Sequence, residues 1–413
     1  MSDDSNKSDD PPQKPGPAAG SGGTGYFAKH PMPDVPPSKP LQWFLLIAFV
    51  ITGAAYVIGE WNAKSSKQTP DPQAGKLRHL VQNQSDYLAH CKLGNEALAK
   101  KHYDQAATEY QLALKSQDNA EGHEFLGQAL LKKSEPDAAF AQFAEALRID
   151  PGLVNAASKW GVALAAQGKS EEAMRVLEQA LQHNPDAGLL HYNLAATLVQ
   201  MRTDAEGRRR TASAAARPEE IQAAENEAKK LAEDALTHFT KASRNKVDSP
   251  AFWCAFGQLL NQLGRYAEAE PLLFRAVSED AALTTAHFQL ALAEFHLGKY
   301  AESIAHYEKV LVLAPDNTDT LNSLALLYAT ATNAEVRTSK MAVQLAIRAC
   351  EATGNQNARF MDTLAQSYAA DGDFFQAIAW EDKSIHRSMQ LNDQDLAREF
   401  QARQAHFMDH KSP

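Results

Sequence analysis

The sequence predicts an all-α solenoid of about eight stacked helix–turn–helix units, and three observations carry that prediction. Small residues recur at a fixed step: Gly94, Gly127 and Gly161 lie 33 and 34 residues apart, and Gly257 stands 34 before Ala291. Most are followed by alanines that bracket a large apolar residue, as in Ala106, Tyr110 and Ala113, then Ala139, Phe143 and Ala146, then Ala173, Leu177 and Ala180. Pro151, Pro185 and Pro315 close three of these units, where a ring without an N–H has to end a helix. A period of this size marks units that bury their apolar faces on their neighbours.

Ahead of the repeats the composition changes twice. Residues 1–40 are rich in Pro, Gly, Ser and Asp and hold little that could build a core, so a disordered tail is expected. Leu41 to Gly59 is a run of nineteen residues with no formal charge. As a helix it would be roughly 28 Å long, enough to cross a hydrocarbon core. Trp43, Tyr56 and Trp61 stand near its ends, where aromatic belts sit. One transmembrane helix is therefore expected, with a polar linker over 60–86. Lys64, Lys67, Lys76 and Arg78 after the span outnumber Lys29 and Lys39 before it, which counts toward cytoplasmic repeats. Long domains translocate largely regardless of such charge, and the reading favours the extracytoplasmic side.

The repeats occupy 87–385. Gly257 leads to Gly264, Tyr266 and Ala269, and Ala291 leads to Gly298, Tyr300 and Tyr307. The fourth unit is interrupted: 40 residues separate Ala195 from Ala235, against 12 between Gly127 and Ala139. The surplus, about 201–230, carries Arg208, Arg209 and Arg210 and is expected to be a solvated mobile loop. After a regular eighth unit, Leu396, Phe400 and Phe407 share one helix face, predicting a capping helix within 386–413.

These spacings resemble the tetratricopeptide repeat family, a 34-residue helix–turn–helix with W-x₂-L-G-x₂-Y, then A-x₃-F, then P. The end is similar to a widespread bacterial type, over Leu321 to Thr330, Ala342 to Gly354 and Phe360 to Ala377. The resemblance implies a right-handed superhelix whose first helices line a groove at repeat positions 2, 5, 9, 12 and 13. It implies that Gly168 makes an inter-helix turn and that Ser170 caps the following helix. Gly168-Lys169-Ser170 is then no phosphate loop, and the first glycine that G-x-x-x-x-G-K-S requires would fall on Ala163. Some family members clamp C-terminal carboxylates, but of that set only Asn95 and Lys159 fit, while Cys91, Phe125 and Asn155 do not.

Little in the chain points to chemistry. The formal net charge of −10 leaves no general nucleic-acid footprint, and Cys91, Cys254 and Cys350 show no pairing or zinc spacing. The interrupting segment is too short to bury a catalytic core. No enzyme activity and no cofactor or metal are expected. The expected function is a membrane-tethered scaffold that binds other proteins in the groove, self-association being a further option. The alternative is an accessory subunit of a membrane enzyme or envelope-assembly machine. Phe288, Leu292 and Phe295, with Tyr192, Asn193, Val199 and Leu326, are the expected groove residues.

Overall fold

The computed structural model describes residues 72–215, 217–332 and 338–411. Among them it has seventeen α-helices and no strand. The first four units are α1 (Pro72–Ala99) with α2 (Tyr103–Ser116), α3 (Ala120–Lys132) with α4 (Pro136–Ile149), α5 (Val154–Ala166) with α6 (Ser170–His183), and α7 (Gly188–Ala214) with α8 (Pro218–Arg244). The next four are α9 (Pro250–Gln262) with α10 (Tyr266–Glu279), α11 (Thr284–His296) with α12 (Tyr300–Leu313), α13 (Thr318–Thr330) with α14 (Ser339–Ala352), and α15 (Ala358–Ala370) with α16 (Phe374–Gln390). A last helix, α17 (Gln394–Lys411), follows.

Each pair closes on the recurring small residue. A methyl group added at Gly127 would lie 2.8 Å from the ring of Phe143, and one at Gly94 2.5 Å from that of Tyr110. Both rings are fully buried, so the aromatic of the second helix sits directly on the backbone of the first. Turns between paired helices need a left-handed residue, supplied by Gly168 at φ +78° and Gly372 at φ +83°. Lys101 and Ser134 adopt the same conformation in the first two units at φ 61° and 63°. Side-chain caps begin several first helices: Asn119 accepts from the Gly122 N–H and Asn357 from that of Phe360. Ser170 does not cap α6 as expected. Lys169 holds the cap position and its carbonyl takes the Ala173 N–H, and the buried Ser170 hydroxyl has no partner among the described residues.

From α3 to α15, consecutive first helices pack on one another, whereas consecutive second helices have no comparable packing. The stack must therefore curve with its first helices inside. α17 packs on α16, burying Leu396, Phe400 and Phe407 at the end of the stack.

The expected loop over about 201–230 is overturned. Both helices of the fourth unit simply run on, to 27 residues each, where α3 and α4 have 13 and 14. Ala205 and Ala212 of α7 and Ala224, Ala228 and Ala232 of α8 are buried, forming a seam of methyl groups that lets two antiparallel helices lie close. Pro218 starts α8 at the first turn, where its missing N–H costs nothing. The linker shortens likewise, because 72–86 is already α1. The Leu41 to Gly59 run and the tail lie outside the described residues. Among the described residues no helix is long and apolar enough to cross a membrane.

The close approach predicts opposite effects for two glycine substitutions read by thermal or urea denaturation. Gly127→Ala should destabilise by about 1–3 kcal/mol through overpacking against Phe143. Gly207→Ala, inside α7 with nothing within 4 Å of the new methyl, should stabilise by about 0.5–1 kcal/mol through helix propensity.

Candidate functional site

With the first helices inside, the concave wall is the part of each that its neighbours leave uncovered. On α11 the neighbours cover Ala286, His287, Leu290, Ala291, Ala293 and Glu294. Phe288, Leu292 and Phe295 are half-buried and share one face at i, i+4 and i+7. The Phe288 ring meets Tyr307 edge-on with centroids 5.7 Å apart, and Phe295 lies 6.1 Å from Tyr300. Each ring thus rests one side on its own unit. Leu326 is half-buried on α13, between buried Ala325 and Leu327. These four expected residues lie on two adjacent inner helices.

The other three do not join them. Tyr192 is buried with its ring 5.6 Å from Phe252 and 6.3 Å from Phe239, inside the packing between α7, α8 and α9. The buried Asn193 side chain donates from Nδ2 to the Ser158 hydroxyl of α5 at 2.6 Å. Val199 is buried as well. Because α5, α7 and α9 approach closely here, every residue from 191 to 199 is covered, and this part of the wall is inter-repeat core.

Three side-chain amides escaped the sequence reading. The carbonyl oxygens of Gln258 and Asn261 on α9 and of Asn322 on α13 are buried yet find no hydrogen-bond partner among the described residues. Asn261 uses its Nδ2 to donate to the Gln289 backbone carbonyl at 2.8 Å, tying α9 to α11 and fixing the orientation of its free oxygen. An unpaired buried acceptor costs about 1–3 kcal/mol, which an incoming donor would relieve. Their places at repeat positions 9, 12 and 5 were the available signal.

Two buried carboxyls are held near neutrality. Burial pushes Glu294 up to about 7, helped by the charges of Glu270 and Glu302. Burial, with Asp362 beside it, pushes Glu381 up to about 9, while Arg403 of α17 pairs with Asp362. Burial also lifts the thiols of Cys91 to about 11 and of Cys254 and Cys350 to about 12, so they are poor nucleophiles at neutral pH. Among the described residues no three His, Cys, Asp or Glu side chains are placed to hold a metal. A cleft of about 340 Å³ between the long hairpin and the fifth unit is walled by Arg202, Glu206, Lys229, Glu233, Leu263 and Arg265 among others, a mixed-charge surface.

Tetratricopeptide repeat models match residues 91–154 and 229–283, residues 154–197, and residues 284–317. The chain contains tetratricopeptide repeats. Among solved structures it is similar to pilF of Pseudomonas aeruginosa, at 18% identity over 57% of this chain and 94% of that one, with a TM-score of 0.46. It is similar to YrrB, described as a repeat protein with an unusual peptide-binding site, at 19% identity over 52% and 93% with a TM-score of 0.40. It is also similar to the Cut9–Hcn1 assembly of the APC/C, at 15% identity over 80% and 63% with a TM-score of 0.47. Likenesses this remote assign no function. No curated protein matches the chain.

The raised Glu294 carboxyl fixes a sign. Its proton is bound more tightly in the folded chain, so its contribution is full below its ordinary value of 4.5 and is lost as pH rises through about 7. Glu294→Gln should therefore raise the melting temperature at pH 8 and change it little at pH 5.

Proposed function

We propose that the chain is a membrane-tethered scaffold whose concave face on α9, α11 and α13 holds an extended segment of a partner protein. Tetratricopeptide repeats generally mediate protein–protein interaction and are generally non-catalytic. The observation that carries the reading is the pairing of two features on one wall. Half-buried apolar residues, Phe288, Leu292, Phe295 and Leu326, lie on the same series of inner helices as the buried amide oxygens of Gln258, Asn261 and Asn322, which have no partner among the described residues. A polypeptide brings the complement of both, apolar side chains and backbone N–H donors. The uncharged Leu41 to Gly59 run supports the tether, with the repeats on the extracytoplasmic side.

Replacing Phe288 and Phe295 together by alanine should weaken partner capture from detergent-solubilised membranes by about 2 kcal/mol or more, the scale of interface anchors. Capture is counted per folded molecule, because both rings also support their own unit. Unchanged capture with a large fall in melting temperature would make the stripe core and end this reading. One stoichiometric enzyme among the captured proteins would define an accessory subunit, and many partners a general scaffold. For the tether, carbonate washing should leave the full chain in the membrane pellet. Its release would remove the membrane from the account.

A further inference from the structure

A solenoid needs contacts only between neighbouring units, but this one has a contact that skips four. Near the end of the long α7, the Ser213 hydroxyl donates to Asp395 Oδ2 in the first turn of α17 at 2.9 Å, across 182 residues of sequence. An Arg209 guanidinium nitrogen lies 3.8 Å from the same oxygen. Nearer its root, α7 is steadied by Arg202, which donates to Gln262 Oε1 at the end of α9 at 2.7 Å. From Gln200 to Ser213 the helix advances roughly 20 Å. The inner helices α7, α9, α11, α13 and α15 pack in series, Arg403 of α17 binds Asp362 of α15, and α17 touches α7. The circuit of inner helices is closed.

We propose that the α7–α8 hairpin is a strap that closes repeats four to eight into a ring around the concave face. While the strap is shut, that face admits an extended polypeptide entering end-on, and a folded partner reaches it only when the strap opens. This rests on the reading of the concave face as the binding surface. The arm is stiff, because its alanine seam is buried along both helices. Its latch is weak: one hydroxyl bond and one ion pair whose side chains are 34% and 48% exposed. An attraction of that kind is small and is screened by salt. Arg398 of the same helix holds the other oxygen of Asp395 at 2.6 Å, so the carboxylate keeps a local partner when the latch opens and releases without exposing an unpaired charge.

The test needs no partner. In the full-length chain in detergent, Leu292→Cys places a thiol on the concave face, and Phe274→Cys places a control on the exposed face of α10. The three native cysteines are buried and supply a low background. Alkylation is followed with N-ethylmaleimide and with a maleimide carrying a bulky polymer. The polymer reagent should be slowed relative to the small one at Leu292→Cys by about tenfold or more, with no such gap at Phe274→Cys. Asp395→Lys, or high salt, should abolish the gap. Ser213→Ala combined with Arg209→Ala should do the same without touching α17. Equal polymer rates at Leu292→Cys in the latched and unlatched chains would overturn the strap and leave the binding reading standing. A Leu292→Cys thiol that reacts with neither reagent would show a buried face and overturn both.

Discussion

The structure depends on one contact that recurs in four of the units: a large apolar side chain of the second helix seated where the first helix has no Cβ. Tyr110 on Gly94, Phe143 on Gly127, Leu177 on Gly161 and Leu273 on Gly257 are the same contact, and all four side chains are fully buried. It sets the spacing of those pairs, and uniform pairs stack into a regular curve. The last unit shows what happens without it. Glu381 occupies the place of the aromatic, fully buried, so the site holds a carboxyl that burial and Asp362 keep protonated up to about pH 9. Asp362 in turn takes its counter-charge from Arg403 of α17. The terminal helix thus covers apolar surface and completes a buried polar cluster that the eighth unit cannot satisfy alone.

Curvature follows from that regularity and separates two surfaces of different character. Outer helices carry exposed pairs such as Arg265 with Glu268 and Arg275 with Glu279, which suit solvation and contribute little energy. The inner helices carry half-buried rings on α11 and buried amide oxygens that have no partner among the described residues. A protein retains such groups at a cost to its stability, and a ligand can return that cost. The long fourth unit adds a second scale of organisation, because it lets one end of the stack reach the other.

The repeat was legible because its signals are steric and local. Gly168, Gly264, Gly298 and Gly372 all take the left-handed conformation that an inter-helix turn requires, and a glycine at a fixed step announces it. The hairpin was not legible because its seam is alanine. Ala205, Ala212, Ala224 and Ala228 give a weak apolar rhythm among arginines and glutamates, and the same composition suits a loop. Position within a repeat gave the face expected for Phe288 and Leu326, which are half-buried. It could not tell how tightly α5, α7 and α9 would close over Tyr192 and Asn193, which depends on contacts between units. Ser170 misled for a related reason: a hydroxyl beside a turn reads as a cap, but the chain enters α6 one residue earlier and buries it.

Site-specific photo-crosslinking in intact cells tests the central claim most directly. A photoreactive side chain is placed at Leu292 or Leu326 on the inner wall, or at Phe274 on the outer helix α10. The account predicts discrete protein adducts from both inner positions and none from Phe274. Adducts from Phe274 with none from Leu292 or Leu326 would contradict it, because partners would then be bound by the convex surface.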